Sequence, residues 1–218
     1  MPEIDLLENY PKTQRNLDAR IEQKTEDVRR VARQFGEEFF DGDRIYGYGG
    51  YRYHPRFWQP VVPTFQKHYG LTKNSSVLDV GCAKGFMLHD FAQLIPGITV
   101  AGIDISAYAI ENALPVVKPF LQVGNAKHLP FPDQSFDLVI AINTIHNLPP
   151  EECQQAVREI QRVTRQHAFI TVDAYRTAEE KKRMDAWNLT AQTYMQVEEW
   201  RMLFDAAGYR GDYYWFIP

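Results

Sequence analysis

Short apolar runs alternate with amphipathic stretches along most of this 218-residue chain. The apolar runs predict strands near 76–80, 99–104, 119–123, 136–142 and 167–173, with a final strand within 209–218. Apolar residues at helical spacing predict helices near 58–69, 85–94, 106–113, 150–164, 177–188 and 196–208. Strands and helices that alternate in this way are typical of a parallel sheet with helices on both faces. We therefore expect an α/β fold for the greater part of the chain.

The first 58 residues do not follow this alternation. Apolar residues at mixed helical spacings predict one or two amphipathic helices within 12–40; they are Leu17, Ile21, Val28, Val31, Phe35 and Phe39. Residues 45–58 are rich in Tyr, Gly and Arg. Glycines permit a hinge and aromatic rings lose exposed area on closing, so we predict a lid here, with simple packing over a cleft as the alternative. We therefore predict that the chain has two regions, an N-terminal helical extension that ends in the lid (residues 1–58) and a core (residues 59–218).

A small-residue turn joins the first predicted strand to its helix. The sequence from Ser76 to Leu88 reads SVLDVGCAKGFML, and Gly81, Ala83 and Gly85 keep side chains away from the turn. The backbone can therefore approach a ligand closely, with the N–H groups of the following helix facing that ligand. The next strand brings Asp104 to the same edge of the sheet, where its oxygens can accept hydrogen bonds from ribose hydroxyls. This arrangement predicts a cofactor that contains adenosine.

The glycine spacing separates two cofactor classes. A dinucleotide enzyme usually carries G-x-G-x-x-G, whose second and third glycine positions would fall on Ala83 and Phe86. The spacing instead resembles motif I of the class I S-adenosylmethionine-dependent methyltransferases, D/E-x-G-x-G-x-G. Asp79, Gly81, Ala83 and Gly85 lie on that pattern, with Ala in place of the central Gly.

A second stretch, residues 124–140, resembles the loop of the same family that contacts the adenine edge. Asn125 stands where the family usually has Asp, and its side-chain carbonyl can accept the same hydrogen bond from the adenine amino group. The resemblance covers roughly residues 60–210. It implies a Rossmann-like, doubly wound, mostly parallel sheet of six or seven strands, often with the last strand antiparallel, and S-adenosylmethionine as cofactor. It implies these cofactor-binding residues: Asp79, Gly81, Cys82, Ala83, Gly85, Asp104, Ile105, Asn125, Ala126 and Asn143.

The loops after the fourth and fifth predicted strands are expected to flank the reactive methyl group. His146 is the candidate general base, because an imidazole accepts a proton near neutral pH. Asp173 is expected to orient that imidazole, to bind the substrate or to act as base itself. A hydrogen bond to backbone is the alternative for His146. Asn143, His146 and Asp173 also offer metal-binding atoms, but Ala174 follows Asp173 where a second carboxylate would be needed, so we predict no metal.

The predicted substrate-binding residues come from the lid and from the two loops. They are Tyr48, Tyr51, Arg52, Tyr53, Asn147, Tyr175 and Arg176. An enclosed cavity with phenols and guanidinium groups suits a small polar or ionic acceptor, methylated at O, N or an acidic carbon. Asn147-Leu-Pro-Pro150 departs from the N/D-P-P-Y/F motif of adenine and glutamine N-methyltransferases, because Leu148 separates Asn147 from the prolines. A protein or RNA methyltransferase and a non-catalytic S-adenosylmethionine-binding module remain as alternatives.

The composition of the chain limits the classes of binding partner that we expect. The formal net charge is −4 and no basic block stands out, which argues against a nucleic-acid partner. The one basic cluster, residues 181–183, follows two glutamates and is interpreted as a solvated helix face. No apolar run approaches the ~20 residues that span a bilayer, and the N-terminus lacks a signal pattern, so a cytoplasmic protein with no membrane partner is expected. Cys82 and Cys153 have neither disulfide nor zinc spacing.

Overall fold

The computed structural model describes residues 2–12 and 24–218. Its sheet has seven strands, which are β1 (Ser76–Val80), β2 (Thr99–Asp104), β3 (Leu121–Val123), β4 (Phe136–Ile142), β5 (Thr164–Tyr175), β6 (Met195–Gln196) and β7 (Asp212–Phe216). The strand order is β3-β2-β1-β4-β5, and β7 and the short β6 both pair with the far side of β5. This is the predicted doubly wound parallel sheet.

The last strand differs from the expected antiparallel arrangement. β7 runs parallel to β5, with Phe169 opposite Asp212 and Asp173 opposite Phe216. The physical reason is the crossover that precedes it, because a helix between β6 and β7 returns the chain to the edge at which β5 begins. The end of β7 therefore reaches the same edge of the sheet as the ends of β1, β2 and β4.

Helices cover both faces of the sheet. They are α1 (Glu26–Ala32), α2 (Glu37–Phe40), α3 (Val62–Tyr69), α4 (Phe86–Leu94), α5 (Ala107–Glu111), α6 (Pro150–Val163), α7 (Ala178–Trp187) and α8 (Val197–Ala206). Short 3-10 turns lie at Lys118–Phe120 and Ile145–Asn147. One core layer packs α6 and α8 on the sheet through Val157, Trp200 and Phe204. The other packs α3 and α4 through Phe65 and Phe91. None of the helices in the described part of the chain is long and apolar enough to cross a membrane.

Residues 2–6 pack with the core and not as part of a separate extension. The Ile4 N–H donates to the Tyr213 carbonyl at 2.9 Å, and the Tyr213 N–H donates to the Pro2 carbonyl at 3.2 Å. Leu6 is 2% exposed and belongs to the core layer that contains Phe65. This segment therefore protects the outer side of β7.

α1 and α2 match the expectation of one or two helices within 12–40, although Leu17 and Ile21 fall outside the described residues. The Thr25 hydroxyl caps α1 by accepting the Val28 N–H. Cationic side chains attach α1 to the carbonyl groups that end α7. Lys24 donates to the Ala186 carbonyl at 2.6 Å, and Arg29 donates to the Asn188 carbonyl at 2.7 Å. Cations near the C-terminus of a helix also interact favourably with its dipole.

Candidate functional site

A cavity of about 910 Å³ lies at the carboxyl edge of the sheet. Its floor comes from the loops after β1, β2, β3 and β4 and from Thr171 and Asp173 of β5, which is the usual ligand position in an open α/β sheet. The N-terminal segment and residues 187–192 form its walls, together with the end of β7.

The loop between β1 and α4 is held close to β2 by its own backbone. The Gly81 and Cys82 N–H groups donate to the Ile103 carbonyl at 2.7 and 3.1 Å. Gly81 has φ +88°, and a Cβ there would lie 2.1 Å from the Thr144 hydroxyl oxygen, so only glycine fits. Ala83 has φ +49°, so the residue that replaces the central motif glycine occupies the left-handed region.

Asp104 joins the two cofactor loops. Its Oδ2 accepts the Ala83 N–H and its Oδ1 accepts the Ser106 N–H, both at 2.8 Å. Each carboxylate oxygen keeps a lone pair for a further donor. Burial raises the pKa of Asp104, and the two backbone hydrogen bonds act in the opposite direction. The carboxylate is therefore fixed in place, with free acceptor capacity for two ribose hydroxyls.

Asp79 at the end of β1 is the second buried carboxylate of this region. Burial, and then the charge of Asp104, raise its pKa to about 7. A cation bound beside Asp79 would favour its ionised form. The site thus suits the ammonium group of a methionine moiety.

The adenine side of the site contains residues from three loops. Ile105 is 56% exposed and, with Asn125 and Ala126, lines the cavity. The Asn125 Oδ1 already accepts the Lys127 N–H at 3.0 Å, so an adenine amino group would be its second donor. Asn143, which also lines the cavity, has φ +51°, and its Oδ1 accepts a hydrogen bond from the Thr171 hydroxyl.

His146 and Asp173 meet on the floor of the same cavity. The His146 Nδ1 accepts the Asp173 backbone N–H at 2.9 Å and lies 3.5 Å from the Asp173 Oδ1. Burial lowers the pKa of His146, against the opposing effect of the Asp173 charge. Burial also raises the pKa of Asp173. The neutral imidazole therefore carries its proton on Nε2 and presents a donor, which does not fit the predicted general-base role.

Three of the seven predicted substrate residues line the cavity, namely Tyr48, Tyr51 and Asn147. The other four, Arg52, Tyr53, Tyr175 and Arg176, do not line it, so their predicted role needs correction. The Tyr53 hydroxyl donates to Asp90 on α4 at 2.6 Å, and its ring packs on Phe86 and His89 of that helix. Arg176 forms an ion pair with Glu3 at 2.7 Å. The Tyr175 ring lies beside the Lys181 ammonium group, and Arg52 is exposed.

Other lining residues were not predicted as site residues. Aromatic side chains make up much of the wall; they are Tyr10, Phe35, Phe39, Phe40, Trp58, Trp187 and Phe216. The Phe35 and Phe39 rings pack edge to face at 5.1 Å, and Trp187 lies 5.0 Å from Phe216. In the sequence, the helical spacing of Phe35 and Phe39 predicted only that these two side chains lie on the apolar face of a helix, and it gave no indication of a cavity wall. Within residues 2–12 and 24–218, no group of three or more His, Cys, Asp or Glu side chains could hold a metal ion.

Residues 78–172 match the family model described as a methyltransferase domain. The match includes Asp79, the motif I loop and Asp104, and it supports the resemblance to the class I S-adenosylmethionine-dependent methyltransferases. S-adenosylmethionine is the cofactor of this family, and the buried carboxylates of Asp79 and Asp104 fit its ammonium and ribose groups.

The methyltransferase domain has relatives among curated proteins and solved structures. An uncharacterized protein of Haemophilus influenzae is 28% identical over 155 residues, which is 65% of this chain and 61% of that protein. A demethylmenaquinone methyltransferase of Lactiplantibacillus plantarum is 37% identical over 109 residues, which is 46% of this chain and 45% of that enzyme. The YcgJ protein of Bacillus subtilis shares the fold, with a TM-score of 0.55, 22% identity, and coverage of 67% of this chain and 66% of that one. The chain spans less than two thirds of the length of both of these curated relatives.

Proposed function

We propose that this protein transfers the methyl group of S-adenosylmethionine to an oxygen, nitrogen or acidic carbon of a small molecule. The supporting observation is that one cavity joins the cofactor loops to the buried pair of His146 and Asp173. Its volume of about 910 Å³ is near the top of the range of roughly 300–1,000 Å³ for ligand sites. Cofactor and a small acceptor can therefore share it.

When bound, S-adenosylmethionine supplies an electrophilic methyl group on a positively charged sulfur. Asp104 binds the ribose hydroxyls, and Asp79 binds the ammonium group. The Asp173 carboxylate takes the proton that the acceptor loses, and burial brings its pKa closer to the working range of a base. The His146 Nε2–H donates a hydrogen bond to the acceptor and orients it. Enclosure and positioning supply much of the rate, because methyl transfer needs an in-line approach in a dry site.

The walls and the floor of the cavity favour different parts of an acceptor. Aromatic side chains such as Phe39, Tyr48 and Trp187 suit a planar, apolar body. Asp173 and His146 suit a polar group at one end of it. The name of the Lactiplantibacillus plantarum relative indicates a small-molecule acceptor, demethylmenaquinone, for that enzyme. We therefore propose a ring-containing metabolite with a hydroxyl or amino group as acceptor.

The test uses S-adenosylmethionine with a labelled methyl group and a cell extract separated by ultrafiltration into small-molecule, protein and nucleic-acid fractions. The label is expected in the small-molecule fraction, and Asp104→Ala, which removes the ribose-binding carboxylate, serves as the negative control. Label in protein or nucleic acid would instead support a macromolecular substrate. Cofactor binding without transfer to any fraction would support a non-catalytic binding module.

A further inference from the structure

We propose that Asp41 and Lys84 form a latch that holds Tyr51 beside Phe86 in the cavity, so that residues 35–51 become part of the cofactor site. The inference rests on the proposed function, since it assumes that S-adenosylmethionine occupies the loops after β1 and β2. Asp41 and Lys84 are positioning residues in this proposal. Tyr51 is the residue that would contact the cofactor.

Lys84 is a buried cation in the motif I loop. It lies between Ala83, whose N–H binds Asp104, and the first turn of α4. Its side chain is 7% exposed, and its Nζ donates to the Asp41 Oδ2 at 2.5 Å and to the Tyr51 carbonyl at 3.0 Å. A lysine is rarely buried without a partner. Burial of this lysine therefore depends on the N-terminal segment being in place.

Asp41 connects three parts of the chain through one carboxylate. Its Oδ2 also accepts the Tyr108 hydroxyl at 2.8 Å, and its Oδ1 accepts the Tyr51 N–H at 2.9 Å. Tyr108 belongs to α5, the helix that follows the Asp104 loop. Burial raises the pKa of Asp41, but hydrogen bonds from Lys84 and Tyr108 outweigh it and hold the pKa below its ordinary value. The carboxylate is therefore ionised at neutral pH.

Tyr51 lies on the cofactor side of the cavity. Its ring stacks on Phe86, the first residue of α4, at 4.7 Å and 21°. The Tyr48 ring packs on it at 4.3 Å. Tyr51 lines the same cavity as Asp79 and Asp104. Burial, then Tyr48 and Tyr10, and then the charges of these two carboxylates raise the pKa of Tyr51. This position favours contact of Tyr51 with the cofactor over the predicted contact with the acceptor.

A second contact fastens the other end of the segment. The Ser106 hydroxyl donates to the Phe35 carbonyl at 2.5 Å, while the Ser106 N–H donates to the Asp104 Oδ1. Residues 35 and 51 are thus both tied to loops that hold the cofactor. Because residues 35–51 carry part of the aromatic wall, movement of this segment and occupancy of the cofactor loops are linked.

The experiment measures S-adenosylhomocysteine binding by calorimetry to the wild type, Lys84→Met, Asp41→Asn and the double variant. We expect each single variant to bind at least tenfold more weakly, and the double variant to bind no more weakly than the worse single one, because both remove the same contact. Lys84→Arg keeps the charge and should recover part of the loss. Lys181→Met is the matched control, since its ion pair with Asp185 is exposed and lies outside the cavity.

Two results would overturn the latch. One is an affinity equal to that of the wild type in Lys84→Met, even with a lower melting temperature. If the variants do not fold, hydrogen exchange of the wild type gives the second result. The exchange is measured at two amides: the Gly50 N–H donates to the Phe40 carbonyl, and the Tyr51 N–H donates to Asp41. S-adenosylhomocysteine should slow this exchange, and an unchanged rate contradicts the latch. Failure of the wild type to bind the ligand would contradict the proposed function instead.

Discussion

The Nδ1 of His146 accepts the backbone N–H of Asp173 at 2.9 Å, so the ring proton lies on Nε2. His146→Gln should therefore retain more methyl transfer than His146→Ala, because a glutamine amide can still donate a hydrogen bond. Both variants should keep the S-adenosylhomocysteine affinity of the wild type, since neither is expected to contact the adenosine. Single-turnover rates and calorimetry measure the two effects. Equal loss of rate in both variants would show that donation from His146 does not matter.

The pH dependence of the rate separates Asp173 from His146 as the base. Burial raises the pKa of Asp173 and lowers that of His146. We expect the rate to fall on the acid side as Asp173 becomes protonated, and this limb should disappear in Asp173→Asn and persist in His146→Gln. The kcat profile from pH 4 to 8 measures it. The reverse pattern would return the base role to the imidazole.

Asp104→Ala should weaken S-adenosylhomocysteine binding by roughly 10- to 150-fold. This corresponds to the loss of a charge-assisted hydrogen bond, about 1.5–3 kcal/mol. Asp205→Ala is the control, because Asp205 is exposed on α8 and lies outside the cavity. Calorimetry with S-adenosylhomocysteine and with NAD distinguishes the cofactor classes. Tight NAD binding by the wild type would argue for the dinucleotide class that the glycine spacing disfavours.

Asp79 should make both stability and ligand binding depend on pH. Its pKa is raised from 3.8 to about 7, first by burial and then by Asp104, so the folded protein holds this proton more tightly than the unfolded chain. The resulting stabilisation is complete below pH 3.8 and is lost as the pH rises through about 7. Asp79→Asn should remove this part of the slope in denaturant unfolding measured across pH 4–8.

Ligand binding provides a second test of the raised pKa of Asp79. An ammonium group beside Asp79 favours the carboxylate, so S-adenosylhomocysteine should release a proton on binding at pH 6. Calorimetry in buffers of different ionisation enthalpy counts that proton, and Asp79→Asn should not release it. Proton release of equal size in wild type and variant would place the titrating group elsewhere.

Leu6→Ala should destabilise the protein by about 2–5 kcal/mol, the usual cost of truncating a buried leucine. Leu6 is 2% exposed, whereas Leu94 is 39% exposed, so Leu94→Ala is a matched control with an expected change of about 0.5 kcal/mol or less. Urea unfolding of both variants measures the difference. Similar stability of the two variants would mean that residues 2–6 are dispensable, and would favour a core that begins near residue 59.

Local patterns were enough to predict the parts of the fold that depend on neighbouring residues. The apolar runs placed β1, β2 and β4, and the spacing of Gly81, Gly85 and Asp104 predicted a site in the loops after β1 and β2, which line the cavity. The apolar runs and the glycine spacing both lie within about 30 residues of sequence, because strands and helices have characteristic periods and the turn between them has a characteristic glycine spacing.

Contacts between distant segments had no such signal. The Asp41–Lys84 ion pair joins residues 43 positions apart, and neither side chain stands out in a sequence where exposed charges are common. The prediction that Arg176 binds substrate failed to anticipate its ion pair with Glu3 for the same reason. Glu3 reaches Arg176 because residues 2–6 pack along β7. The direction of β7 is also a tertiary property, because one strand sequence can pair in either direction.

The hydrogen bonds between Ile4 and Tyr213 also set an order of events during biosynthesis. The first strand-like segment leaves the ribosome without a partner, and β7 is translated about 200 residues later, which takes on the order of 10–40 s at typical bacterial and eukaryotic rates. The Ile4 N–H and the Pro2 carbonyl remain without their Tyr213 partners for that time. Pairing of residues 2–4 with β7 therefore comes last and joins segments of very high sequence separation, which favours slow folding of this edge of the sheet.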